Sequence, residues 1–357
     1  MNKLKVGVLG ATGMVGRTCI SLLEKHPWFE VSYVAASERS AGKTYAESVE
    51  GRWHLKRSVP DSVKGLVVQP VHAIEEAREH CSFVFSAMDS KAARQYEELY
   101  AAAGFPVISN ASAHHNTRDV PMLIPEINPE HADIIPLQQK NRKWKKGFIA
   151  VKPNCSIQSY MAPLFALHRD FNVQKVVVTT LQAVSGGGHS GFGTIDIEDN
   201  VIPFIDGEEE KSELEPLKIF GRINGNAIMP ASGPAISAHC NRVPVMDGHM
   251  ACVSVKFGKK PTRKQIVKAW ESFRGVPQHL KLPSAPKRPI IYEDAVDRPQ
   301  TRYDRDNERG MAVTVGRLRE CNILDYRFVG VSHNMIRGAA GGSILTAELL
   351  KSRGLIV

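Results

Sequence analysis

Residues 4–16 read Leu4-Lys5-Val6-Gly7-Val8-Leu9-Gly10-Ala11-Thr12-Gly13-Met14-Val15-Gly16. The first six alternate and carry β-branched side chains, the pattern of a strand. Gly10, Gly13 and Gly16 follow with GxxGxxG spacing, and Val15, Cys19, Leu22 and Leu23 then recur at helical spacing until His26-Pro27 ends the helix. A second strand fits residues 30–36, completing a βαβ unit. In such a unit glycines permit a tight turn, and the free N–H groups and dipole of the next helix face a pyrophosphate. The stretch predicts a dinucleotide-binding turn on the first strand of a parallel α/β sheet.

Outward from this turn, the end of the second strand selects the cofactor. An NAD site usually carries an acid there for the ribose 2′-hydroxyl. Here Ala36-Ser37-Glu38-Arg39-Ser40-Ala41-Gly42-Lys43 presents two hydroxyls and two cations, which predicts a 2′-phosphate and hence NADP, with Glu38 as a contrary signal. Strands are predicted over 81–87 and 105–109 with a helix over 92–103, so strand and helix alternate to about residue 150. After Pro153 the strand-like runs 175–184, 250–257, 310–315 and 326–331 need fewer helices between them. They predict a second, α+β domain with a mostly antiparallel sheet. Residues 185–240, rich in glycine, proline and acids, are expected to cover a site. Residues 336–350 read as a C-terminal helix returning to the first domain. The expected division is 1–152 plus 335–357 for the Rossmann-type domain and 153–334 for the second.

A chain of 357 residues suits two domains. Its 43% apolar and 23% charged content excludes a disordered or fibrous protein. No run approaches the roughly 20 apolar residues of a membrane helix, and the first apolar run is too short for a signal peptide, so a cytoplasmic protein is expected. A net charge of +9 suits an anionic cofactor or substrate. The cations are dispersed and not interleaved with aromatics, so nucleic acid is not an expected partner. The six cysteines form no CxxC pair and there is no HExxH, so neither a disulfide framework nor a metal site is expected.

Lys152-Pro153-Asn154-Cys155-Ser156-Ile157 follows a predicted strand and precedes a helical pattern over 156–167. Cys155 is thus expected at a helix N-terminus, which lowers a thiol pKa. The Asn154 amide and the Cys155 N–H are then placed to hold an oxyanion. From these residues alone a nucleophile and a buried small hydrophobe both stay open. Cys19, Cys81, Cys252 and Cys321 sit in apolar runs and read as buried. Arg242-Val243-Pro244-Val245-Met246-Asp247-Gly248-His249 places an arginine suited to bidentate carboxylate binding and a histidine just before a strand. A structural arginine and a surface histidine are the alternative.

Together the turn Gly10 to Gly16, residues 36–43, Pro153-Asn154-Cys155-Ser156, Leu181-Gln182-Ala183-Val184-Ser185-Gly186, Gly207-Glu208-Glu209-Glu210-Lys211, residues 242–249 and residues 334–342 resemble the aspartate-β-semialdehyde dehydrogenases. The likeness is to their archaeal and fungal branch and spans nearly the whole chain. It implies NADPH-dependent reduction of an acyl phosphate to an aldehyde through a cysteine thioester, with release of phosphate. Cys155 would be the nucleophile and His249 the acid/base, with Gln182 and Asn154 orienting the reacting group. Arg242 would bind the substrate α-carboxylate. An acid of the 208–210 run, taken as Glu210, would bind the amine, with Glu215 as the competing choice. Lys211 or Lys218 would serve phosphate, and Asn110 and His115 belong to the substrate site. The implied NADP contacts are Gly10, Thr12, Gly13, Met14, Val15, Ser37, Arg39, Ser40, Ser86, Ser185, Gly186 and Asn334, the last with residues 338–341 at the nicotinamide end.

The resemblance also implies a homodimer or homotetramer joined through the catalytic-domain sheet. Two positions depart from the pattern. In Ser109-Asn110-Ala111-Ser112-Ala113-His114-His115, His115 stands where an arginine is expected, and Arg118 is the candidate to compensate. His189 replaces an aromatic residue. A reductase of CoA thioesters, such as malonyl-CoA reductase, is a second reading, opposed by the 208–211 run and left open by His115. A non-catalytic NADP-binding redox sensor using Cys155 is a third.

Overall fold

The computed structural model describes residues 3–187 and 197–357. His189 lies outside the described residues. The first sheet has six parallel strands: β1 (Leu4–Leu9), β2 (Phe29–Ala36), β3 (Gln69–Pro70), β4 (Phe83–Ser86), β5 (Pro106–Ser109) and β6 (Phe148–Val151). Their order is β3-β2-β1-β4-β5-β6. Every residue of β4, β5 and β6 is buried, as strands covered on both faces must be. The chain reverses direction of travel across the sheet between β1 and β4. That switch point opens a crevice at the strands' C-terminal ends, and the Gly10 turn stands at its lip.

Helix α1 (Met14–Leu23) follows the turn. Helix α2 (Ser90–Ala102) starts two residues before the predicted position because the Asp89 carboxylate accepts from the Lys91 and Ala92 N–H groups, an N-cap that the apolar pattern does not display. Helix α3 (Met161–Phe171) leads into the second half of the chain.

The second sheet contains β7 (Val173–Gln182), β10 (Ala235–Arg242), β11 (His249–Phe257), β12 (Ile290–Glu293), β13 (Val313–Glu320) and β14 (Tyr326–Ser332). A separate pair, β8 (Arg222–Asn224) and β9 (Ala227–Met229), lies between β7 and β10 in the chain. In the order β10-β7-β11-β14-β13-β12 the pairings β7–β11, β11–β14 and β13–β14 are antiparallel, while β10–β7 and β12–β13 are parallel. The sheet is therefore mixed, with its two parallel pairs at the edges. Strand β10 escaped the sequence pattern because Ser237, His239 and Asn241 alternate with small residues and leave no apolar run. Strand β13 starts later than expected because Glu308, Arg309 and Gly310 all have positive φ, a region closed to strands.

Helix α4 (Glu208–Ile219) lies within the segment 185–240 expected to cover a site. At the C-terminus a π-turn over Ile336–Ala340, broken by Ala339 at φ −142° and ψ −106°, precedes helix α5 (Gly341–Ser352). Helix α5 is almost wholly buried. Ile344, Ala347 and Leu350 join the core built from Val6, Val8, Phe29, Phe83 and Phe85, so the chain's last helix completes the first sheet's cover. No helix of the described residues is long and apolar enough to cross a membrane.

Candidate active site

Gly10 takes φ +75°, a conformation glycine adopts at little cost. A Cβ on Gly16 would collide with the Gly10 carbonyl and Ala11, so glycine there lets α1 approach the strand end. Gly13 gives α1 no side-chain cap, and the first turn carries no acid. The open N–H groups and positive helix end fit a pyrophosphate. Thr12, Met14 and Val15 rim this turn, partly exposed. Ser37 and Arg39 are exposed beyond β2, while Glu38 is drawn to His72 Nδ1 at 3.2 Å.

Two expected cofactor contacts are placed otherwise. Ser40 is buried under the turn, its carbonyl accepting from Ser48 Oγ. Ser86 is fully buried at the end of β4, where strand alternation turns it inward, and its carbonyl accepts from the Asn110 amide.

Cys155 follows β6, but it does not begin a helix. Asn154 Oδ1 accepts from the Ser156 N–H and Oγ, both at 2.7 Å. This side-chain turn competes with helix formation. A 3-10 turn over Ile157–Ser159 follows, and α3 opens only at Met161. The thiol is correspondingly not lowered. Burial pushes it up to about 11, the Glu208 charge adds to the rise, and the cations Lys152, Arg242 and Lys211 oppose it. Lys152 is 4% exposed, and its ammonium donates to the Pro153 carbonyl. Gly338 of the π-turn presses on Cys155, for a Cβ there would stand 2.9 Å from the Cys155 Cβ.

The second sheet brings its catalytic edge to this sulfur. Gln182 ends β7, Arg242 ends β10 beside it in register, and His249 starts β11. His249 Nε2 lies 3.4 Å from Cys155 Sγ. The Ala183 N–H donates to His249 Nδ1 at 2.9 Å. Burial, reinforced by Arg242, His333 and Lys152, pushes the His249 ring down to about 3. Arg242 Nη1 donates to the Ala183 carbonyl at 2.8 Å. Gly186 packs on both side chains: a Cβ there would meet Arg242 Nη1 and His249 Nε2 at 3.1 Å.

Asn334, expected at the nicotinamide end, bridges two loops of the second domain. Its amide donates to Ser185 Oγ and accepts from the Gly248 N–H, each at 2.8 Å. Both ends of the amide tie together the loops that carry Gly186 and His249. Asn110 is likewise occupied, donating to the Ser86 carbonyl at 3.1 Å and accepting from Ser343 Oγ at 2.7 Å. It bridges β5 to α5.

The acids of α4 follow helix geometry. Glu208, Ser212, Glu215 and Ile219 share one buried stripe, whereas Glu210 faces solvent. Glu210 is therefore replaced by Glu208 as the acid of the 208–210 run that faces the Cys155 turn. Glu208 receives Asn154 Nδ2 at 2.6 Å, Lys211 Nζ at 3.0 Å and Gln182 Nε2 at 3.1 Å. Glu215 receives the Asn154 N–H at 2.7 Å and contacts His115 Nδ1 at 2.6 Å. Burial pushes the Glu215 carboxyl up, but His115 and the Asn154 N–H outweigh it and carry it below the usual range.

Lys218 donates to the His115 and Thr117 carbonyls at 2.7 and 2.8 Å. Burial pushes its ammonium down to about 8, against the pull of Glu215 and Asp119. Arg118 is exposed. Among the other cysteines, Cys19 and Cys81 are buried, but Cys252 is exposed and Cys321 partly so. Cys252 lies in a strand whose outward face is open. Sequence reasoning had Glu208 within the 208–210 run but chose Glu210 from it, and it missed Lys152. The period of Glu208, Ser212, Glu215 and Ile219 was the signal for the first; burial of Lys152 left none.

Residues 5–135 match the family described as semialdehyde dehydrogenase, NAD binding domain, and residues 164–337 match semialdehyde dehydrogenase, dimerisation domain. An aspartate-semialdehyde dehydrogenase of Archaeoglobus fulgidus is 45% identical over 99% of this chain and 100% of its own. The crystal structure of aspartate semialdehyde dehydrogenase with NADP from Candida albicans superposes with a TM-score of 0.90 at 40% identity, covering 99% of this chain and 100% of that one. A malonyl CoA reductase (NADP) of Metallosphaera sedula is 39% identical over 99% of this chain and 98% of its own. With a glycine cradle, a cysteine–histidine pair and full-length likeness in agreement, the chain belongs to the aspartate-semialdehyde dehydrogenase family.

Proposed function

We infer that this chain reduces L-aspartyl 4-phosphate to L-aspartate 4-semialdehyde with NADPH, releasing phosphate, in the biosynthesis of lysine, threonine and methionine. The observation that carries the reading is the convergence on Cys155 of His249, Arg242 and two buried carboxylates beside a dinucleotide crevice. An amino-acid substrate needs a cation for its carboxylate and an anion for its amine. Arg242, buried and planar, suits the α-carboxylate. Glu208, oriented by Asn154, Lys211 and Gln182, suits the α-amino group. Glu215 fixes the Asn154 peptide and so the nucleophile's turn, while His115 and Lys218 sit behind it on the side proposed for phosphate.

Gly10, Gly13, the first turn of α1, Ser37 and Arg39 would hold NADPH, which supplies the hydride when bound. Cys155 supplies a nucleophile that both attacks and leaves well. Its own N–H and the Asn154 amide are the donors proposed to receive the oxyanion.

Two copies are proposed to associate through the outer face of the second sheet. Val177, Thr179 and Leu181 of β7, Met250 and Cys252 of β11 and Val329 of β14 share that face by alternation and register. A cytoplasmic location accords with six free thiols.

The test is NADP reduction by aspartate semialdehyde with and without phosphate. Phosphate-dependent NADPH formation is expected. Failure of that reaction, with NADPH oxidation by malonyl-CoA, would move the substrate to a CoA thioester. The same assay separates the acids. Glu208→Ala is expected to lower kcat/KM by roughly 10- to 100-fold, the loss of a charged hydrogen bond, and Glu210→Ala to stay within about twofold of the parent because an exposed side chain is removed. The reverse order would return the amine site to Glu210.

A further inference from the structure

Lys152 follows β6, three residues before Cys155, and is 4% exposed. Its ammonium donates to the Pro153 carbonyl, in the turn that carries Cys155. Gly342 of α5 leaves room for the lysine stem, since a Cβ there would stand 3.3 Å from Lys152 Cδ. A small cavity beside it is lined by Glu126, Gln158 and Arg337. A lysine is rarely buried unless it is paired, yet among the described residues Lys152 forms no ion pair. The acids around it are each held by another cation. Glu208 receives Lys211 Nζ at 3.0 Å, Glu215 meets His115 Nδ1 at 2.6 Å, and Glu126 receives Arg337 Nη1 at 2.5 Å and Nη2 at 3.1 Å. Burial lowers the Lys152 ammonium and Arg337 adds to the fall, while Cys155, Glu215 and Glu208 pull it up, Cys155 most strongly. The influence is mutual: of the cations that favour the Cys155 thiolate, Lys152 acts most strongly.

We propose that Lys152 is the built-in counter-charge of the Cys155 sulfur, a buried cation without an acid in the resting protein that finds its partner when the thiolate forms. Among the described residues it makes no hydrogen bond to the sulfur, so it acts by charge, as a positioning residue. A buried cation with no acid is costly, and so is a buried thiolate with no cation. Ionisation of Cys155 removes both costs together. The attraction acts away from bulk water, where it is screened little, and a cation already in place needs no rearrangement at that moment. The other groups that face the sulfur are Glu208, which opposes its ionisation, Arg242 and Lys211, which favour it, and the His249 ring at 3.4 Å. Lys211 is engaged by Glu208, and Arg242 is the group proposed for the α-carboxylate, which leaves Lys152 to the sulfur. The inference rests on the functional reading above only where it concerns turnover. Ionisation of the thiol is a property of the unliganded protein.

Alkylation of Cys155 by iodoacetamide in the full-length protein, followed across the neutral and alkaline range, tests this. Mass spectrometry of the Cys155 peptide is the readout, because Cys252 and Cys321 are also accessible. Lys152→Met keeps the stem and removes the charge. It is expected to slow alkylation by about tenfold or more at each pH below the plateau, the equivalent of a thiol raised by about one pKa unit. Lys152→Arg, which keeps the charge, is expected to stay within about threefold of the parent. Since Lys152→Met leaves no acid unpaired, its urea midpoint should not fall below the parent's. In the phosphate-dependent assay it should lower kcat by about tenfold or more, with the KM for NADP within about twofold. Unchanged alkylation in Lys152→Met or an equal loss in both variants overturns the proposal. So does a fall in the Lys152→Met midpoint, which would assign the ammonium to the structure of the turn. If wild type shows no phosphate-dependent reaction, the functional reading fails on that result, while the alkylation profiles still decide the role of Lys152.

Discussion

Cys155→Ser is expected to lose turnover by roughly 10⁴-fold or more while binding NADP within about twofold of the parent. The two halves of this expectation come from different parts of the molecule. The thioester requires sulfur, because a serine alkoxide is a poor leaving group at the collapse step. The glycine turn and the α1 N-terminus, proposed to face the cofactor, stand at the end of β1 and owe nothing to residue 155. A fluorescence titration with NADPH and a phosphate-dependent rate measurement on the same sample check both. Residual turnover within tenfold of the parent would sink the covalent mechanism. The wild-type thiol carries a related signature in the unliganded protein. Because burial pushes it up to about 11, the thiolate fraction grows with pH across the neutral range. Alkylation of Cys155 should therefore still be accelerating past pH 9, and a plateau near neutrality would show that the site already holds the thiolate.

Glu126→Ala is expected to destabilise the protein by about 3–5 kcal/mol, the usual consequence of leaving a buried charge alone. Glu126 and Arg337 form a bidentate pair with Nη1–Oε1 at 2.5 Å and Nη2–Oε2 at 3.1 Å, and the two side chains are 0% and 2% exposed. Arg337 also donates to Gln158 Oε1 at 3.2 Å. Removing the carboxylate leaves the guanidinium with neutral acceptors only. Arg337 belongs to the π-turn that places Gly338 against Cys155, so activity should fall with stability. The urea midpoint measures the effect. The double variant Glu126→Leu with Arg337→Met should recover part of the loss, because neither charge is then buried. A Glu126→Ala midpoint shift worth under about 1 kcal/mol would show that the pair is solvated in solution.

The cofactor turn was legible because its information is local. Three glycines at fixed spacing between a strand pattern and a helix pattern state a backbone geometry, and the structure adds only the collisions that a Cβ at Gly16 would cause. Cys155 could be singled out for the same reason, as a cysteine between a strand and a helical pattern. Its environment could not. The expected thiolate-favouring helix end gave way to the Asn154 side-chain turn, and long-range burial sets the thiol. The acid of α4 shows the boundary well. A run of three glutamates offers no choice along the chain. Once the segment is a helix, the 3.6-residue period sends Glu208 and Glu215 inward and Glu210 outward.

By itself, then, the sequence determined the parallel dinucleotide sheet, the glycine turn and the family, and singled out Cys155 as a candidate. Only the tertiary structure decided which groups meet that cysteine. Cys155 and His249 are 94 positions apart, and Asn334 and Ser185 are 149 apart. Their meeting depends on the register of a mixed sheet whose edge strand β10 carries no apolar signature.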